Sequence, residues 1–232
     1  MDDRILVDAG TVGGALSPAE QIEIEHALIT HAHLDHTVGL AFLTDTLAMV
    51  APDRRVTVTS IAPVIESLRT HAFNDALWPN FTTIPSGSNP VLGFRSLAEE
   101  AEARVGELWV TPVLVEHTVP TTGFVIHDGE TGFVYSGDTG PTERLWHIAR
   151  EMRGLKALIV ETAFPNRLDA LARVSGHLTP EMLRREIDKM PADIPIWIYH
   201  IKPQLFEETA EELANIDPTR IHTLEQGKTY SL

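Results

Sequence analysis

Residues 30 to 36 read Thr30-His31-Ala32-His33-Leu34-Asp35-His36, three imidazoles and a carboxylate within six consecutive positions. Neutral imidazole and carboxylate are the ligands that borderline divalent ions such as Zn²⁺ accept. The chain contains no cysteine, so thiolate zinc sites, disulfides and thiol nucleophiles are excluded, and any metal must be held by nitrogen and oxygen. His31 and His33, two apart on extended chain, point the same way. Asp35 and His36 then turn into a following helix and can reach a second ion. Two cations about 3.5–4 Å apart acidify a water held between them and clamp the attacking and leaving oxygens of a phosphoryl displacement.

Further candidate ligands stand where apolar runs end. His117 follows Val113-Leu114-Val115, Asp138 follows Val134-Tyr135-Ser136, and His200 follows Trp197-Ile198-Tyr199. Loops leaving the carboxyl ends of strands are where layered α/β structures build sites. A carboxylate has two oxygens, so Asp138 can bridge two cations as imidazole cannot.

These positions need strands to deliver them and helices to cover the strands. Arg4-Ile5-Leu6-Val7 predicts a strand ending at Asp8-Ala9-Gly10-Thr11, and Ala27-Leu28-Ile29-Thr30 a buried strand carrying the histidine cluster at its end. Ser17-Pro18-Ala19-Glu20 is a capping box with proline at the first helical position. Helical patterns follow over 37–49 and 61–70. Beyond Phe73 an irregular stretch holds Trp78-Pro79-Asn80 and Pro85-Ser86-Gly87, a loop or lid by composition. Strands are expected at 107–115, 122–127, 133–136, 157–160 and 196–199. Helices are expected at 141–152, from the Thr179 cap to about 190, and at 204–215.

At 232 residues and 43% hydrophobic, the chain can bury a large core, and a single domain over 1–232 is expected. It carries 33 acidic and 18 basic residues, a formal charge of −15. Extended RNA or DNA needs Lys and Arg to replace condensed counterions, which argues against a nucleic-acid partner. A small anion remains compatible, since divalent ions would supply local positive charge. No long apolar run occurs, and Met1-Asp2-Asp3-Arg4 lacks a basic then apolar leader. The expectation is a cytoplasmic protein with no membrane partner.

The chain resembles the metallo-β-lactamase superfamily, and more closely its class II cyclic-nucleotide phosphodiesterases. The resemblance runs from Asp8-Ala9-Gly10 to His200-Ile201-Lys202-Pro203. It takes in Phe73-Asn74-Asp75-Ala76-Leu77-Trp78-Pro79-Asn80-Phe81, Ser136-Gly137-Asp138-Thr139-Gly140, Glu161-Thr162-Ala163-Phe164-Pro165-Asn166 and Ser175-Gly176-His177-Leu178-Thr179-Pro180. The H-x-H-x-D-H element marks only the superfamily, whereas Leu34, G-H-L-T-P and H-I-K-P favour the phosphodiesterase branch. Thr37, Ala41 and Asp45 depart from that branch's usual residues. The implied fold is α/β, a four-layer αβ/βα sandwich, here without the usual N-terminal strand pair.

Carried over by position, the resemblance gives His31, His33 and His117 to one metal and Asp35, His36 and His200 to another, with Asp138 bridging. Zinc is the first expectation, manganese and iron the alternatives. The implied reaction is hydrolysis of a 3′,5′-cyclic nucleotide, a small-molecule cyclic phosphodiester, by a hydroxide that the metals activate. Asp35 then belongs to the catalytic set with His177 and Glu161. His177 lies outside the ligand set and, as in ribonuclease Z, would protonate the leaving group, while Glu161 could orient and charge it. Asp8 is expected to support the metal loop by a hydrogen bond. Phe73, Asn74 and Trp78 could form a lid over a base, although aromatic clusters in irregular segments are more often local core. Arg167 and Lys202 could reach a phosphate oxygen. A homodimer fits the resemblance. The alternatives are a ribonuclease Z-like phosphodiesterase and a lactonase- or β-lactamase-type hydrolase of carbon esters or amides.

Overall fold

The computed structural model describes residues 4–231, so the leader reading of residues 1–3 lies outside it. The chain divides into two units, with the boundary after Leu108.

The first unit is built on a parallel sheet. Its elements are β1 (Ile5–Val7), α1 (Val12–Ala15), α2 (Pro18–Gln21), β2 (His26–Leu28), α3 (Leu34–Val50), β3 (Val56–Ile61) and α4 (Ala62–Ser67), which continues as a π-helical turn over Leu68–Ala72. A two-stranded hairpin, β4 (Pro85–Ser86) and β5 (Asn89–Pro90), precedes β6 (Leu92–Leu97) and β7 (Ala103–Val105). The sheet order is β1-β2-β3-β6, with every pairing parallel. Parallel strands covered on both faces read as apolar runs, and Ala27, Leu28, Ile29, Val56 and Val58 are fully buried. The predicted capping box is present: Glu20 N donates to Ser17 Oγ, and Ser17 N donates to the Glu20 carboxylate.

Two of these four strands, β3 and β6, lie in segments where the sequence pattern predicts no strand. Val56-Thr57-Val58-Thr59-Ser60-Ile61 mixes hydroxyls with aliphatics, and only pairing against β2 and β6 makes both of its faces interior. The Ser60 hydroxyl is accommodated there by donating to Ile29 O at 2.5 Å.

The second unit is organised on a mixed sheet. Its strands are β8 (Leu108–Leu114), β9 (Thr122–His127), β10 (Gly132–Tyr135), β11 (Leu155–Glu161), β12 (Ile196–Tyr199) and β13 (Ile221–Thr223), and its helices are α5 (Arg144–Glu151), α6 (Asp169–Ser175), α7 (Pro180–Ile187) and α8 (Phe206–Ala214). The order is β13-β12-β11-β10-β9-β8. β8, β9 and β10 form an antiparallel meander, and β10 to β13 are parallel. The predicted strands fall within one or two residues of these, and β13 is additional. Thr179 caps α7, its hydroxyl accepting from Met182 N. Leu158, Val160, Leu183, Ile196 and Ile198 are central to the core of this unit. No helix among the described residues is long and apolar enough to cross a membrane.

Candidate metal and acid–base centre

In the first unit the histidine cluster leaves β2 and enters α3. His33 is the N-cap of α3 in extended conformation, Asp35 and His36 lie in its first turn, and His36 is buried. Asp8, at the end of β1, holds this corner together. Its Oδ1 accepts from Thr30 N at 2.9 Å, both of its oxygens lie within about 3 Å of Thr30 Oγ1, and Oδ2 accepts from His36 Nδ1 at 2.7 Å. A proton on Nδ1 leaves the lone pair on His36 Nε2, the tautomer a metal requires. The His31 ring lies 4.6 Å from that of His33 and 4.2 Å from that of His36, and His31 Nε2 is 3.0 Å from His33 Nδ1.

Two glycines permit this corner. A Cβ at Gly10 would stand 1.8 Å from Asp35 O, and one at Gly39 would stand 2.2 Å from Ala9 O. The Asp8-Ala9-Gly10 loop therefore lies flat on α3, with Gly39 N donating to Ala9 O and Ala9 N donating to His36 O, each at 2.7 Å. Asp8 itself has φ 55°, a left-handed conformation seldom adopted outside glycine.

The second unit assembles its donors from five separate loops. Ligand atoms of His117, Asp138 and His177 lie within 4.8 Å of one another. His117 follows β8, and its Nδ1 donates to Gly176 O at 2.8 Å, again assigning the lone pair to Nε2. Gly176 ends α6 in left-handed conformation, with a virtual Cβ 3.0 Å from His117. Asp138 follows β10 and is buried, its Oδ2 3.2 Å from His200 Nε2. His200 follows β12 with φ 66°, so each unit holds one candidate metal-centre residue in a left-handed conformation. Lys202 Nζ is 2.9 Å from His200 Nε2. The His177 and His200 rings stack, 5.5 Å apart at 20°.

Behind His177 lies Glu161, fully buried at the end of β11. Its Oε1 accepts from His177 Nδ1 at 2.9 Å and from Thr139 N at 3.0 Å, and its Oε2 has no hydrogen-bond partner among the described residues. Burial pushes the Glu161 carboxyl up to about 7, against the opposing hydrogen bond and charge of His177. Burial alone would lower the His177 pKa. The hydrogen bond and charge of Glu161, with the charge of Asp138, outweigh it and hold the imidazole above its usual value. The two groups are therefore coupled, each setting the other's affinity for a proton.

The donors of both units suit a borderline divalent ion: nitrogen and oxygen only, with the Nδ1 tautomers of His36 and His117 fixed by oxygen acceptors. A model described as the beta-lactamase superfamily domain matches residues 3–225. The chain belongs to this superfamily. Among curated relatives, a probable 3′,5′-cyclic-nucleotide phosphodiesterase of Yersinia pestis is 31% identical over 78% of this chain and 57% of its own length. A 3′,5′-cyclic-nucleotide phosphodiesterase of Aliivibrio fischeri is 28% identical over 78% of this chain and 60% of its own. The chain thus spans less than two thirds of these relatives. Among solved structures, unliganded yeast PDE1 has a TM-score of 0.79 at 22% identity, covering 90% of this chain and 69% of that one. The metallo-beta-lactamase fold protein YhfI of Bacillus subtilis has a TM-score of 0.73 at 15% identity, covering 98% and 87%. The fold is the metallo-β-lactamase fold.

Within this superfamily fold the remaining sequence candidates fall in varied places. Phe73 is buried in the first unit's core and packs edge-on to Phe94 at 6.0 Å. The Asn74 side-chain oxygen accepts from Ala76 N and Leu77 N, so it closes a turn. Trp78 is half-buried, its Nε1 donating to Ala41 O. The Arg167 guanidinium is clamped by the Glu208 carboxylate through three contacts of 2.8–3.2 Å. Sequence reading missed Thr30, Thr139 and Gly176, whose backbone or hydroxyl groups orient the functional side chains. Each lies inside a quoted motif, where it was given no role of its own, and that position was the available signal.

Proposed function

We propose that the chain is a divalent-metal-dependent hydrolase, acting as one functional domain over residues 1–232, that opens 3′,5′-cyclic nucleotides or closely related small phosphodiesters. The metal-holding residues are His31, His33, Asp35 and His36 in the first unit and His117, Asp138 and His200 in the second. When bound, zinc, manganese or iron supplies Lewis acidity and an acidified water. The protein's own part is orientation and proton delivery. Asp8 and Gly176 O fix the tautomers of His36 and His117.

The observation that carries this reading is the buried His177–Glu161 pair beside Asp138. Expelling a 3′-alkoxide needs a proton at the leaving oxygen. His177 Nδ1 donates to Glu161, which leaves Nε2 as the atom that can hand over a proton, and Glu161 with Asp138 raises the imidazole's affinity for that proton. Release of a stabilised phenolate needs no such donor. Asn74, Trp78 and Lys202 are proposed as substrate contacts. Phe73 and Arg167 are assigned the same role with less room to act, being buried and clamped respectively.

The test compares metal-loaded protein on cyclic AMP, bis(p-nitrophenyl) phosphate, nitrocefin and a lactone. Turnover of both phosphodiesters is expected. Hydrolysis of the lactone or nitrocefin without either phosphodiester overturns the class.

A further inference from the structure

The second unit buries a carboxylate that takes no part in proton delivery: Glu186 on α7, 2% exposed. A charge taken out of water is costly unless partners compensate it. Here the partners come from one short stretch and from the next turn of the chain. Glu186 Oε2 accepts from the backbone N–H of Thr142 at 3.0 Å and from Trp146 Nε1 at 2.9 Å. Lys189 Nζ donates to Oε1 at 2.7 Å and also reaches Glu143 and Thr142 O. Thr142 lies in the loop from β10 to α5, and Trp146 in the first turn of α5.

That loop holds Asp138, and hydrogen bonds fix its backbone at intervals. Thr139 N donates to Glu161 at 3.0 Å, Gly140 N to Glu116 O at 2.6 Å, and Thr142 N to Glu186. The first two tie the loop to the partner of His177 and to the residue before His117. The third ties it to α7, whose other end is anchored as well. Thr179 caps α7, and the Asn166 side-chain oxygen, from the loop after β11, accepts from Glu181 N at 2.7 Å. His177 stands two residues ahead of that cap. Helix α7 therefore runs from the His177 turn to the Asp138 loop, about 10 Å along its axis from Thr179 to Glu186.

We propose that Glu186 is a positioning residue for Asp138: by holding Thr142 N to α7, it fixes Asp138 Oδ2 at its 4.0 Å from His177 Nδ1. The inference rests on the metal-holding role proposed above for Asp138 and extends it to a residue that touches neither metal nor substrate. Losing a hydrogen bond that orients a metal ligand costs about 10–100-fold in affinity. Glu186 acts one step further out, through the loop backbone, so the lower end of that range is expected.

The test is zinc affinity of the full chain against a competing chelator, well below the thermal midpoint. Glu186→Met keeps a similar volume and helical preference and leaves Thr142 N and Trp146 Nε1 without their acceptor. It is expected to weaken zinc binding about tenfold and to slow bis(p-nitrophenyl) phosphate hydrolysis. Glu186→Gln, which keeps an oxygen for both donors, should restore wild-type affinity. Trp146→Phe removes one of the same hydrogen bonds without touching Thr142, so it should lower the thermal midpoint and leave zinc affinity unchanged. If Glu186→Met binds zinc as the wild type does, or if Trp146→Phe or Glu186→Gln weakens binding equally, Glu186 serves the core alone and the proposal falls. Should Glu186→Met fail to fold, Glu186→Asp decides, because it withdraws the oxygens by one methylene: weaker zinc binding supports the proposal and unchanged binding overturns it. Affinity is read without turnover. A wild type that binds zinc and cleaves no phosphodiester therefore removes the hydrolase reading and leaves the variants to decide this one, whereas a wild type that binds no divalent ion removes both.

Discussion

The two units bring donor atoms together by different means. In the first, His31, His33, Asp35 and His36 come from one strand–loop–helix passage, supported from a distance by Asp8, which is reached across one parallel strand pairing. In the second, His117, Asp138, Glu161, His177 and His200 arrive from the ends of four strands and one helix, spread over more than eighty residues. The first cluster is set by local spacing and the second by sheet order. Damage should therefore propagate differently. A change in the first should act on metal binding through one corner, whereas the second can separate metal holding from proton delivery.

The sharpest break is His33→Ala. It removes an imidazole at the N-cap of α3 without touching the core, and it is expected to lower bound divalent metal, measured by emission spectroscopy, and to reduce phosphodiester turnover to background. Full metal content with normal turnover would remove the first unit from the metal centre. In the second unit, His177→Ala is expected to retain metal and to slow cyclic AMP hydrolysis by roughly 10²–10⁴-fold, the usual contribution of general acid catalysis. Bis(p-nitrophenyl) phosphate, with its good leaving group, should lose far less. Because His177 lies with His117 and Asp138 in one donor cluster, loss of metal in this variant would instead make it a ligand.

Asp8→Asn probes a long-range support of the first cluster. The amide can no longer accept from His36 Nδ1 as a charged carboxylate does, and losing such an orienting group costs about 10–100-fold in metal affinity. A titration with a competing chelator measures this, and an unchanged affinity would make Asp8 a purely structural cap.

This contrast also explains what the sequence could and could not disclose. The first cluster was legible because its spacing is its geometry, and the Ser17 capping box, the Thr179 cap and the strands at 122–127 and 196–199 were legible because their signals are local. Asp138 and His200 were legible as ends of apolar runs. What stayed hidden depends on pairing. β3 and β6 become interior only through their neighbours, and Phe73 looks like a lid residue until the sheet and α4 enclose it. Arg167 looks available to a phosphate until α8 brings Glu208 alongside. The burial that sets Glu161 apart from an ordinary carboxylate is likewise a property of the fold.

Glu161 supplies a smaller effect with a defined sign. Its folded pKa of about 7 lies above the ordinary carboxyl value. Between pH 4.5 and 7 the folded state therefore binds the extra proton. Its contribution is full below pH 4.5 and is lost as pH rises through 7. Glu161→Gln keeps an acceptor for His177 Nδ1 and cannot ionise. In chelator-treated protein, the decline in chemical-denaturation stability across that window should be shallower by roughly 1–3 kcal/mol in the variant. Parallel wild-type and variant profiles would show that the carboxylate is already ionised throughout.

The smallest expected effect separates a surface ion pair from a substrate contact. Arg167 and Glu208 are both well exposed, and such pairs contribute about 0–1 kcal/mol. Arg167→Ala should leave the thermal midpoint within a few degrees of wild type. If Arg167 stays with Glu208 during turnover, KM for cyclic AMP will not change. If it swings to the phosphate, KM rises while kcat holds, and Glu208→Ala should then lower KM by freeing the guanidinium. Opposite movements of KM in the two single variants identify a substrate contact, whereas small parallel losses of stability identify a clasp between the turn at 166–168 and α8.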